Sequence, residues 1–196
     1  DEDNQEKKRP VGWWNLPEVI GDRFIARLLK APKSSCIMLP NVTTIMQQLL
    51  SCRELNPSGR RKVITTDGEF SAVIQSLYAF NQQFENYPPE IKSAVQLDIA
   101  IAEMGKNDFD PEKILAEIDD QTTLVVLSHV GFLRGELVQD EAIQRIVEKA
   151  HAHGAIVAID GYHAIGSHQT DVQKLGVDIY FGGLLKEGCG SSGNGF

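Results

Sequence analysis

The sequence predicts an α/β domain: a doubly wound, mostly parallel β-sheet with helices on both faces. Three observations lead there. Segments of strand character alternate with segments of helical periodicity almost throughout the chain. The strand candidates, such as "TTLVVLSHV" and "AIVAID", are continuous apolar runs, as expected of strands covered on both faces. Polar, aromatic and charged residues collect just after those runs, where open parallel sheets place their binding crevice.

"LPEVIGDRFIARLLK" carries Val19, Ile20, Phe24, Ile25, Leu28 and Leu29 at helical spacing, with Pro17 early enough to be accepted. "SCIML" is a short strand candidate. Pro40 and "NVTT" then open a second helix that runs to about Cys52. "NPSG" is a loop, "KVITT" a strand and "FSAVIQSLYAFNQQF" a helix. After "ENYPPE", the stretch "AVQLDIAIA" reads as a strand. "DPEKILAEI" is a helix with Asp110 as its cap and Pro111 at its first position. "TTLVVLSHV" is a β-branched strand, and "DEAIQRIVEKAHAHG" an amphipathic helix stopped by Gly154. "AIVAID" and "DIYFGG" are the last strands. Short loops and the absence of internal repeats indicate one domain, residues 13–196, after a charged and disordered lead, residues 1–12.

Composition narrows the function. The 196 residues suffice for one core. A net charge of −8 argues against a general nucleic-acid binder, and Arg60-Arg61-Lys62 reads as a solvated loop before a strand. The three cysteines, Cys36, Cys52 and Cys189, are odd in number and lack metal-ligand spacing, which points to a reducing, cytoplasmic setting. Cys189 reads as a small packing residue. No apolar run has membrane-spanning length and no signal-peptide core is present. The chain has neither G-x-G-x-x-G after its first strand nor G-x-x-x-x-G-K-[ST], so nucleotide binding ranks last. His151 and His153 close a helix, where the C-terminal dipole favours them. A zinc site joining them to His163 is disfavoured by the spacing, and no metal is expected.

The crevice edge gathers "NVTT" after "SCIML", and Asp67, Gly68, Glu69 and Phe70 after "KVITT". Ser128, His129 and Phe132 belong to it, as do Asp160, Tyr162 and His163, then Gly182, Gly183 and Lys186. A carboxylate ending a core strand seeks a cation, and a plain Asp160–Lys186 salt bridge meets that need. A sharper reading gives the two residues opposite ends of one cofactor. Pyridoxal phosphate needs an amine for its aldehyde and an acid for its ring nitrogen. It also needs a phosphate site, which the helix start at Asn41, Thr43 and Thr44 would supply; plain helix capping explains that start equally well. Phe70 would be a flat partner for the ring, or ordinary core.

At this point the chain resembles the class V branch of the fold type I pyridoxal-phosphate enzymes, and is most similar to kynureninases. The resemblance runs from "VGWWNLPEVIGDRFIARLL" to the end and is strongest in "NVTT", "VVLSHVGFLRGELVQD", "IDGYHAIG" and "LGVDIYFGGLLKEG". It implies that Lys186 forms the Schiff base, that Asp160 pairs with the pyridine nitrogen and that His163 lies near both. Asn41, Val42 and Thr43 would match the phosphate-holding stretch, and Phe70 the ring-stacking aromatic. Ser128, His129 and Phe132 would match the segment lining the cofactor's other edge.

The chain departs from the pattern as well. Leu185 stands where kynureninases carry a tyrosine, and Val73 where they carry an acid. Cysteine desulfurases resemble one another in having His before the lysine, Gln in place of His163 and Asn in place of Phe132. The resemblance therefore implies an amino-acid substrate and kynureninase-like hydrolysis. Class V transamination, C–S lysis and epimerisation stay open, as does a non-catalytic α/β binding module. It also implies homodimers with sites at the interface, and a small C-terminal domain that is not in the chain.

Overall fold

The computed structural model describes residues 11–52, 59–104 and 109–196. The first ten residues of the charged lead and most of "NPSG" lie outside the described residues. Five strands form one sheet: β1 Lys62–Thr66, β2 Asp98–Ala102, β3 Thr122–Ser128, β4 Ile156–Asp160 and β5 Ile179–Phe181. Their order is β2-β1-β3-β4-β5, and every strand pairing is parallel. Isolated antiparallel bridges add Gly195 between Leu39 and Gly183. The helices are α1 Leu16–Ile20, α2 Ala26–Leu29, α3 Val42–Ser51, α4 Ser71–Gln82, α5 Pro89–Val95, α6 Pro111–Glu117, α7 Asp140–Ala152 and α8 Val172–Leu175.

Strand alternation divides the core into two layers. Val63, Leu124, Val126, Ala158 and Phe181 face α3 and α4, against Val42, Met46, Leu49, Val73 and Leu77. Ile64, Val125, Leu127, Val157 and Ile159 face α6 and α7, against Ile114, Ile143, Ile146 and Ala150. All seven residues of β3 are buried, because it has a strand on each side and a helical layer on each face.

Local chemistry sets the helix ends. The Asn41 side chain accepts the Thr44 N–H at 2.8 Å, and that of Asp110 accepts the Glu112 N–H at 3.1 Å. Gly154 follows α7 at φ +70°, the left-handed conformation that ends a helix. Arg60 donates to the carbonyls of His153 and Gly154 at 2.5 Å, and Lys62 to the Glu117 carbonyl at 2.5 Å. Arg61 donates to the Ser93 carbonyl. The basic triplet is thus not a solvated loop: it clamps the carbonyl ends of neighbouring segments.

Several expected elements differ. "SCIML" is not a strand; only Leu39 makes a bridge, to Gly195. Pro40 has no N–H to extend a ladder, and Asn41 caps α3 at once. The first helix is interrupted by a π turn at Gly21–Ile25, between α1 and α2. Gly21 packs so closely on Cys36 that a Cβ there would lie 2.5 Å from the Cys36 carbonyl oxygen. The turn shifts the apolar stripe, so Ile25, Ala26 and Leu29 are buried while Phe24 and Leu28 are exposed. Ala94–Ala102 is only half strand, because Pro89 starts α5, which holds Ala94 and Val95. Cys189 is exposed at φ 54°, so it is not a packing residue. The four-residue α8, capped by Asp171, had too short a pattern to be seen.

Leu77 is fully buried in the layer under α4, whereas Gln75 on the same helix is exposed. Leu77→Ala is expected to cost about 2–5 kcal/mol, and Gln75→Ala within about 0.5 kcal/mol of zero. Equilibrium denaturation of the two variants checks this.

Candidate functional site

Strand order reverses between β1 and β3, so the crevice opens beyond their carboxyl ends. Asp160 is the last residue of β4, in register with Ser128 on β3 and Phe181 on β5. It is 4% exposed, and its Oδ1 accepts the Tyr162 N–H at 2.8 Å. Burial pushes its carboxyl up to about 6, while the Tyr162 N–H and the charge of Lys186 pull the other way.

Lys186 lies on the loop after β5. Its Nζ is 2.8 Å from His163 Nε2, and His163 Nδ1 lies 3.5 Å from a Glu187 carboxylate oxygen. With Lys186 donating, Nε2 accepts and Nδ1 carries the proton toward Glu187. Three rings surround the amine: Phe132 at 5.3 Å, Tyr162 at 5.7 Å and Phe70 at 5.9 Å from Nζ to centroid. Phe70 meets Phe132 edge-on, centroids 4.9 Å apart, at the half-open rim rather than in the core.

The start of α3 is tied to the same loop. Leu39 and Gly195 exchange backbone hydrogen bonds at 2.9 and 2.7 Å, and Gly182 and Phe196 at 3.0 and 3.2 Å. Asn41 and Thr43 are exposed, while the Val42 side chain is in the core, leaving it only its backbone to offer. Helix geometry leaves the Val42 and Thr43 N–H groups without intrahelical acceptors. The structure therefore gathers Asp160, His163, Lys186, Phe70, Phe132 and Tyr162 at one edge, with the α3 start joined to it through residues 194–196.

Ser128 stands beside Asp160 at this edge, whereas His129 turns away from it. Ser128 is buried with its N–H given to Glu69. His129, one residue on, points to the side covered by α7, where its Nδ1 meets the Tyr180 hydroxyl at 2.9 Å. His151 pairs with Asp178 at 2.9 Å and His153 with Asp120 at 2.6 Å, so neither approaches His163.

The sequence places Glu69 at the crevice edge but gives it no role. Glu69 is 4% exposed, accepts the Ser128 N–H through Oε1 and leaves Oε2 buried without a hydrogen-bond partner. Burial first, and then repulsion from Asp160, pushes its carboxyl up to about 8. Two buried acids at one strand edge thus share a field that disfavours a double charge. Its position after "KVITT" was legible in the sequence; its burial beside Asp160 needed the fold.

Fold and edge together define a doubly wound α/β domain that presents a buried acid and an aromatic-ringed amine beyond its strands. The Aminotransferase class-V family profile matches residues 23–196, and the chain belongs to that family. Its kynureninases and cysteine desulfurases are pyridoxal 5′-phosphate-dependent enzymes. Kynureninase of Mus musculus is 26% identical over 169 residues, 83% of this chain and 35% of the relative. Kynureninase of Pseudomonas fluorescens is 24% identical over 193 residues, 94% of this chain and 41% of the relative. Cysteine desulfurase of Shigella sonnei is 37% identical over 62 residues, 32% of this chain and 14% of the relative. Among solved structures, the cysteine desulfurase CsdA of Escherichia coli superposes with a TM-score of 0.74 at 17% identity, over 96% of this chain and 46% of that one. That likeness is one of fold. The chain spans less than half the length of these relatives.

The Glu69 carboxyl, raised from 4.5 to about 8, keeps in the folded chain a proton that the unfolded chain releases. The cofactor-free protein should therefore lose stability as pH rises from about 4.5 to about 8. Glu69→Gln should flatten that decline, because the amide can still accept from the Ser128 N–H. Denaturant midpoints at pH 5 and pH 8 measure the difference; equal slopes for both proteins would remove Glu69 as the cause.

Proposed function

We propose that this chain is the cofactor-holding large domain of a pyridoxal-phosphate enzyme that acts on an amino acid, with kynureninase-like hydrolysis as the reaction. The observation that carries the reading is the pairing of a buried Asp160 with a Lys186 ringed by Phe70, Phe132 and Tyr162. The residues fit the group chemically. A buried acid suits a protonated ring nitrogen, an amine suits an aldehyde, and a ten-residue helix start suits a phosphate.

When bound, pyridoxal phosphate supplies an electron sink for a carbanion at the substrate's Cα. Asp160 would hold the proton on the ring nitrogen, aided by its exclusion from water. Lys186 would anchor the aldehyde and, once displaced, move the proton at Cα. His163 would orient the lysine through the 2.8 Å contact, with Glu187 behind it. Phe70 and Phe132 would flank the ring, while Asn41, Val42 and Thr43 would offer donors to the phosphate. The Ser128 N–H would serve indirectly, by fixing Glu69.

The kynureninase preference rests on alignments that cover 83% and 94% of this chain, against 32% for the desulfurase. A C–S lyase is the second reading, favoured by the 37% identity of that shorter segment. Phe132 and His163 count against it. A homodimer with sites at the interface, and a cytoplasmic setting consistent with three free cysteines, belong to the same proposal.

The test uses the full-length protein. It should be yellow, and borohydride should bleach it while fixing the cofactor to Lys186, as peptide mapping would locate. Lys186→Ala should lose that label and about a hundredfold or more of turnover. Asp160→Asn should keep cofactor but lose turnover. Release of alanine and an aromatic amine from a kynurenine supports hydrolysis; release of sulfur from cysteine supports the lyase. A colourless protein that takes up no cofactor overturns the proposal in favour of a binding module.

A further inference from the structure

Behind the acid edge, on the side covered by α7, three side chains converge from separate elements. His129 follows β3, Asp140 opens α7, and His168 lies in the loop between β4 and α8. His129 Nε2 is 3.8 Å from Asp140 Oδ1, and His168 Nε2 is 3.9 Å from the same oxygen. One donor atom from each residue falls within 4.8 Å of the other two.

A second observation gives this convergence a direction. His129 is wholly buried, and its Nε2 has no hydrogen-bond partner. His168 Nε2 is likewise buried and unpartnered. Unsatisfied ring nitrogens in a core are costly, so two of them beside one carboxylate call for a shared occupant. The opposite nitrogen of His129 is held by the Tyr180 hydroxyl at 2.9 Å, with Thr170 Oγ1 at 3.4 Å behind it. If Nδ1 carries the proton and the hydroxyl accepts it, Nε2 presents a bare lone pair to Asp140. This is how a ligating histidine is oriented by its outer partner. Burial keeps His129 neutral, its pKa lowered to about 4, which is the ligating form. Lys174 Nζ, 3.5 Å from Asp140 Oδ2, occupies the other carboxylate oxygen and leaves Oδ1 to face the histidines.

We propose that His129, Asp140 and His168 bind one divalent transition-metal ion, zinc in the first instance. Two imidazoles and one carboxylate suit zinc better than the all-oxygen preferences of calcium or magnesium. Donors about 2.0–2.1 Å from a tetrahedral ion stand about 3.4 Å apart, so the two donor pairs through Asp140 would close by only about half an ångström. Water would take the fourth position, reached past the partly exposed His168. The ion would join the end of β3, the start of α7 and the loop before α8. The His129 N–H also bonds the Asp160 carbonyl at 2.8 Å, so the ion would stiffen the backbone that presents the acid.

The experiment uses tag-free full-length protein, stripped by chelator and titrated with zinc, then with cobalt for its visible spectrum. The expected result is one ion per chain, a zinc-dependent rise in the thermal midpoint, and tetrahedral cobalt absorption. His168→Ala and Asp140→Asn should each weaken binding at least about tenfold. A His151→Ala/His153→Ala double variant should bind as the parent does, since those rings pair elsewhere. No saturable binding to the stripped parent, or binding lost with His151 and His153 but kept without His168, would overturn the site. Cobalt spectra and zinc stoichiometry do not depend on pyridoxal phosphate, so this result stands apart from the cofactor's presence or absence.

Discussion

Asp160 is held out of water at the end of an interior strand, and its neighbours are arranged around that burial. A carboxyl in such a place is raised toward neutrality unless something restores its charge. Within the chain the help is partial: one backbone N–H and the charge of Lys186. Glu69, equally buried, is itself pushed up by the charge of Asp160. An acid kept near its titration point, with an amine and three aromatic rings beyond it, is chemically suited to the cationic ring nitrogen proposed for it. The parallel register supplies the geometry. It sets Ser128, Asp160 and Phe181 side by side, so the loops after β1, β3, β4 and β5 all begin at one edge.

The loop bearing Lys186 is positioned by backbone pairing more than by side chains. Gly182 and Gly183 leave β5 beneath Tyr162, where a Cβ on Gly183 would lie 2.4 Å from the tyrosine ring. Only glycine lets the chain pass there. Gly195 then bridges back to Gly183 and across to Leu39, one residue before Pro40 and the α3 cap. The glycine-rich tail "GCGSSGNG" carries that bridge. It joins the lysine loop to the helix start.

Much of this was legible because the signals are local. Apolar runs marked β1, β3, β4 and β5, alternation in "AVQLDIAIA" marked β2, and caps such as Asn41, Asp110 and Gly154 marked helix ends to within a residue or two. The strand-end polar residues followed once parallel order was assumed. What escaped depends on tertiary contact. The π turn at Gly21 arises from a backbone approach to Cys36, 15 positions away, that periodicity does not register. Arg60, Arg61 and Lys62 read as a solvated cluster because their carbonyl acceptors belong to other elements. The convergence of His129, Asp140 and His168 had no spacing signature, since each residue comes from a different element.

The same alternation that buries the core also separates two kinds of chemistry at the strand ends. Ser128 and Asp160 follow the side of α3 and α4, with Glu69 on the Ser128 N–H. His129 and Tyr180 follow the side of α7, with Asp140 and His168. One peptide step on β3 thus changes the face, and a one-residue slip in its register would exchange the two sets. Buried groups on both faces then bear on one short stretch of backbone, through the Ser128 N–H on one side and the His129 N–H to the Asp160 carbonyl on the other. Whatever occupies either face must act on the other through that stretch. Rigidity at the end of β3 is therefore a shared requirement, and full burial of all seven of its residues is the packing that meets it.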